Sequence, residues 1–64
     1  MNEKKACQAI ARAICELDRA SRLLQNVPHK RNLEISRLRL WKLLRKLGYE
    51  FARYDSAIIK KIKL

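Results

Sequence analysis

Sixty-four residues carry sixteen Lys and Arg against six Asp and Glu, a formal charge of +10. A chain this short makes one domain and buries only about 60% of its unfolded surface. Its cysteines and its lone histidine are placed for neither a disulfide framework nor a structural metal, so a second copy is the expected supplement to the core, giving a homodimer. No apolar run is long enough to cross a bilayer, and the first residues lack the unbroken apolar core of a signal peptide.

From Asn2 to about Asn26 the pattern is helical. Cys7, Ile10, Ile14, Leu17 and Leu24 form one seam at helical spacing, broken only by Ser21. Ala6, Ala13, Ala20 and Val27 flank the seam at intervals of seven, and small residues there let another helix approach closely. Ile10, Ile14, Leu17 and Leu24 are therefore expected at an interface between helices, with the dimer formed through this alanine-flanked face. Arg12, Arg19 and Arg22 point the other way, with Glu16 and Asp18 one turn ahead of Arg19 and Arg22. Cys7 falls on the seam and Cys15 on the polar side. On a helix they are about 12 Å apart in rise and about 80° apart in direction, too far for a disulfide between them. Free thiols fit a reducing cytoplasm.

Pro28 biases Val27 away from helical angles, so the first helix is expected to end at or before it. Residues 27–31 then read as a loop, with Asn32 capping a second helix from Leu33 to Leu47 and Glu34 in its first turn. His29 lies in the loop with no second ligand at metal-binding spacing. Leu33, Leu40 and Leu47 recur every seven residues with Leu43 and Leu44 beside them, a stripe that must be buried. Trp41 borders the stripe, while Leu38 is stranded among basic residues as a candidate interface centre. Gly48 supplies the left-handed residue that closes the helix.

Residues 49–54 read either as a short aromatic strand or as one or two helical turns. Helix is preferred, because an isolated strand would have only a copy of itself to pair with. Asp55 or Ser56 then caps a last helix with Ala57, Ile58, Ile59 and Ile62 on its apolar side and Leu64 fraying. The expected fold is all-α: a helical hairpin of one long and one shorter helix, plus a short C-terminal helix, in a homodimeric bundle.

The charge is uneven. Residues 28–47 carry seven cations and one acid, net +6, whereas the segments on either side carry +2 each. Lys30, Arg31, Arg37, Arg39, Lys42, Arg45 and Lys46 are the residues expected to meet a polyanion, either successive phosphates of a nucleic acid or an acidic partner protein. The plainer alternative is a solvated face that keeps a small protein in solution. A helix-turn-helix with Gly48 as the turn glycine and a second helix from Phe51 fits poorly, since Tyr54 stands where a small branched residue is usual. With no Asn or Gln after Asn32, any DNA contact would be mainly to the backbone. An acidic groove on a protein accounts equally for the arginine bias, because guanidinium pairs carboxylates bidentately. A membrane-surface helix is weaker, since folding already needs the leucine stripe. No Gly-rich phosphate loop, paired histidines or recruitable nucleophile is present, so neither an enzyme, a cofactor nor a small-molecule substrate is expected.

The opening KKACQAIARAICELDRA, with the small size and the charge, resembles the small helical proteins encoded in the early region of lambdoid bacteriophages. The resemblance covers the first helix and the general layout. It implies an early accessory protein that regulates by binding inside a bacterial host cell, and it carries over no functional residue.

Overall fold

The computed structural model describes residues 2–63. Two helices, α1 (Glu3–Leu23) and α2 (Val27–Lys46), are followed by two strands, β1 (Tyr49–Arg53) and β2 (Ile58–Lys61), paired as an antiparallel hairpin. The all-α expectation is therefore wrong at its C-terminal third: the fold is a helical hairpin joined to a β-hairpin. Residues 49–53 do have a partner in the same chain, because β-branched Ile58 and Ile59 extend rather than coil. Asp55 and Ser56 sit in the turn between the strands and cap no helix. Leu64 lies outside the described residues.

The helix boundaries also move. The Asn2 side chain accepts from the Lys5 N–H at 3.2 Å and starts α1, and Leu24 ends it by turning extended. The cap of α2 is Asn26, whose side chain accepts from the His29 N–H at 3.3 Å, not Asn32. Pro28 does not break a helix here: it stands in the first turn of α2, where no amide donor is needed and its fixed φ suits the helix. Lys30 and Arg31 are consequently helical, and α2 runs for 20 residues. The helices are antiparallel. Ser21, late in α1, lies against Glu34, early in α2, while Cys7, early in α1, shares the core with Leu44, late in α2.

The core is small and has three sources. Cys7, Ala11 and Ile14 come from α1, Leu44 from α2, and Tyr49 and Ala57 from the hairpin, with Leu40, Trp41, Leu47, Phe51, Tyr54 and Ile59 packed around them. The small Cys7 and Ala11 leave room for the hairpin to settle on α1. Two side chains then hold the hairpin turn: Gln8 Nε2 donates to the Ala57 carbonyl at 2.6 Å, and the Cys15 thiol donates to the Tyr54 carbonyl at 3.1 Å. Across the strands Phe51 faces Ile59 and Glu50 faces Lys60, with an irregularity between Phe51 and Arg53.

Gly48 couples the two halves. It adopts φ +93°, donates its N–H to the Arg45 carbonyl at 3.0 Å and accepts from the Ile62 N–H at 2.9 Å. A Cβ there would meet nothing within 4 Å, so the cost of a side chain is backbone strain alone. Gly48→Ala is expected to lose about 1–2 kcal/mol of stability. Urea unfolding checks it, and an unchanged midpoint would mean that the junction relaxes freely.

Candidate functional site

The inward arc of α2 is set by Leu33, Arg37, Leu40, Leu44 and Leu47, which follow one another at spacings of three and four. At about 100° per residue, the opposite side centres on Arg31, Ile35, Leu38, Lys42 and Arg45, with Arg39 and Lys46 beside them. Arg31, Arg39, Lys42, Arg45 and Lys46 are all exposed, and none takes part in an ion pair among the described residues. These five are brought together along one surface. Lys30, about three turns before Trp41 on the same side of the helix, is half-buried.

Arg37 is the exception among the expected binding residues. It occupies a position in the leucine seam, and its side chain is only 18% exposed. Nη2 donates to Glu34 Oε2 at 2.6 Å, Nη1 donates to the Tyr54 hydroxyl at a long 3.5 Å, and the guanidinium carbon lies 5.7 Å from the centre of the Trp41 ring. Its Nε is buried without a partner. The Arg37 hydrogen bond, with help from the Ser21 hydroxyl, holds the Glu34 carboxyl below its usual range. Arg37 is therefore spent on internal structure. The signal for this was present in the sequence: it lies four residues after Leu33 and seven before Leu44, with an acid three residues ahead.

Behind Arg37 lies an aromatic cluster. Tyr54 stacks on Trp41 with centroids 5.3 Å apart and planes 16° apart, and Phe51 meets both rings edge-on at 5.2 and 5.0 Å. The hairpin thus fixes the indole from behind. In front, Trp41, Leu38, Arg37, Lys42 and Arg45 line an open groove of about 400 Å³ along the flank of α2, where its inward arc meets the outer face. Leu38 is 51% exposed and Ile35 44%, so aliphatic side chains interrupt the cations. Ile35 was not singled out from the sequence, where it reads as one more apolar residue near the stripe.

Of the residues expected between subunits, the chain's own fold encloses Ile14 and leaves Ile10, Leu17 and Leu24 at least partly accessible. Ile14 is fully buried in the chain's own core, and Ile10 packs against that core. Leu17 is half-buried, and Leu24, at the end of α1, is 36% exposed. Ile14 is closed off from a second copy, because the same chain already covers it.

Both cysteines are free. Burial raises the pKa of both thiols, with nearby acids adding to the effect, so each remains protonated and a poor nucleophile. No group of three or more metal-ligating side chains comes together among the described residues, and His29 is exposed in the first turn of α2. A second hollow of about 410 Å³ beside Cys15 holds Asp18 and Arg22, already paired at 2.6 Å. No helix among the described residues is long and apolar enough to cross a membrane.

In comparisons with known proteins, no family model, no curated relative and no solved structure matches the chain. Its class is defined by its own architecture: an antiparallel helical pair buttressed by a two-stranded sheet, with a cationic outer face on the second helix.

Proposed function

We propose that this is a small non-enzymatic regulatory protein that docks a polyanionic partner, a nucleic acid or an acidic protein surface, through the outer face of α2. One observation carries the reading: Arg31, Arg39, Lys42, Arg45 and Lys46 share an exposed surface with no acid paired to any of them among the described residues. A helix-turn-helix is not the means, since the segment after Gly48 is a strand. The contact to a nucleic acid is then to phosphates and steeply salt-dependent. The free thiols and the resemblance of the first helix to lambdoid phage early proteins support action in the cytoplasm of a bacterial host. Self-association belongs to the same proposal. Ala6 and Ala13 remain exposed on α1, where a second copy approaches closely, and a sedimentation mass of one chain would remove that part.

The test is recovery of partners from lysate with and without nuclease, at low and high salt. Recovery lost on nuclease treatment supports nucleic acid, and one stoichiometric protein that survives it supports an acidic protein. No salt-dependent partner of either kind would sink the reading. For a nucleic-acid partner, neutralising Arg39, Lys42 and Arg45 together is expected to flatten the slope of log K against log salt by about three units. An unchanged slope rules out this face. The second reading, a protein-interaction module that never contacts nucleic acid, is favoured by the exposed Ile35 and Leu38 among the cations.

A further inference from the structure

We infer that the groove between Leu38 and Trp41 seats an aliphatic anchor from an acidic amphipathic helix of a partner protein, an inference that rests on the polyanion-docking reading above. Three features of the face point to that occupant. Its centre is apolar and its margin charged: Ile35 and Leu38 lie between Arg31 at one end and Lys42 and Arg45 at the other. Phosphates gain nothing from covering aliphatic side chains, whereas a protein surface buries them and leaves the cations as a polar rim. The order Arg31, Ile35, Leu38, Lys42, Arg45 keeps to spacings of four and three, the repeat with which one helix lies along another. The complement is a helix with apolar residues at its centre and Glu or Asp toward both ends.

The third feature concerns the floor. Tyr54 already stacks on the Trp41 indole, and Phe51 meets its edge. The ring is therefore held as a fixed wall and keeps at most one face for a nucleobase. Arg37 adds little attraction for an anion at the floor, because Glu34 neutralises it at 2.6 Å. The free positive charge stands on the rim, at Lys42 and Arg45. An anchor that is apolar, on a helix that is acidic, fits both facts. A second copy of this chain does not supply such a helix, because both of its helices are net positive: α1 has five Lys and Arg against three acids, and α2 has seven against one.

The chain's single tryptophan makes the test direct. The intact protein is titrated with synthetic acidic helical peptides of about 20 residues, long enough to hold some helix, that lack Trp and Tyr. One carries leucines at helical spacing in its centre, and its control has the same charge with serine in their place. Oligo-dT and heparin are titrated in parallel, all at low salt, with Trp41 emission and the anisotropy of a labelled probe as readouts. The leucine peptide is expected to bind at least about tenfold more tightly than the serine control and to shift Trp41 emission. Leu38→Ala should abolish that tenfold advantage, and Lys42→Glu with Arg45→Glu should weaken both peptides; all three positions are exposed, and far-UV circular dichroism checks that the variants fold.

Equal binding of the two peptides overturns the inference and leaves the docking reading standing. So does oligo-dT that binds more tightly than the leucine peptide and quenches Trp41, which would assign the groove to a stacked base. Failure of the peptides, oligo-dT and heparin alike to bind removes both.

Discussion

Replacing Leu44 by alanine is expected to cost about 2–5 kcal/mol, a large share of the roughly 3–10 kcal/mol that a chain of this length commands. Leu44 is the only residue of α2 that is fully buried, and it is among the largest side chains with no exposure at all. It shares one buried core with Cys7, Ala11 and Ile14 from α1 and with Tyr49 and Ala57 from the hairpin, so its removal opens a cavity in the cluster that joins all three layers. The small neighbours have no spare length with which to refill that space. Leu43 provides the control. It is adjacent in sequence and has the same side chain, but it is 42% exposed. Leu43→Ala is expected to stay within about 1 kcal/mol of the parent. Urea unfolding of the two variants measures the difference directly, and similar losses would mean that α2 does not face the core as described.

That pair of leucines also marks how far the sequence could be read. The leucine stripe was legible as a stripe because buried helical faces repeat at three and four residues. Which of two adjacent leucines closes the core was not, since that depends on where the hairpin lands. α1 was legible almost to its ends: its seam is long, and no Gly or Pro interrupts it. The start of α2 was missed because proline has opposite meanings by position. Inside a helix it breaks hydrogen bonds, but in the first turn it costs nothing, and only the Asn26 cap decides between them. The hairpin was missed for a different reason. A strand is defined by its partner, and Ile58-Ile59-Lys60-Lys61 reads locally as a capped amphipathic turn just as well.

The candidate face divides in the same way. Five of its cations were legible from charge density along one element, a one-dimensional property. Charge density does not single out Arg37, whose position in the seam places it inward beside Glu34. The groove was not legible at all. Trp41 becomes a wall only when Tyr54 and Phe51, which arrive on the hairpin, stand behind it. The β-hairpin is thus the part that converts a basic helix into a shaped surface, because it fixes the one aromatic side chain of α2.

Tyr54 is the residue through which that fixing is most exposed to test, and Tyr54→Ala is expected to lose about 2–4 kcal/mol. The ring makes two aromatic contacts, each worth about 0.5–1.5 kcal/mol beyond the area it covers. Its backbone carbonyl accepts from both the Cys15 thiol and the Ala57 N–H at 3.1 Å, bonds that an alanine keeps, so the loss reports the ring. With the ring gone, Trp41 loses its backing and its emission should move to the red even in the folded fraction. Tyr54→Phe keeps the stacking and gives up only the long 3.5 Å bond from Arg37, so it should cost less than about 1 kcal/mol. The two phenolic states give a further separation. Burial raises the Tyr54 pKa above its ordinary value of 10.0, more than the Arg37 hydrogen bond lowers it. The folded state therefore favours the neutral phenol. That contribution is fully present below the ordinary pKa and is lost as pH climbs from there through the raised one. In alkali the parent should lose stability faster than Tyr54→Phe, with the two curves parallel at neutral pH. If the phenylalanine variant declines just as steeply, the phenol is not buried against Trp41, and the indole lacks the support that makes the groove.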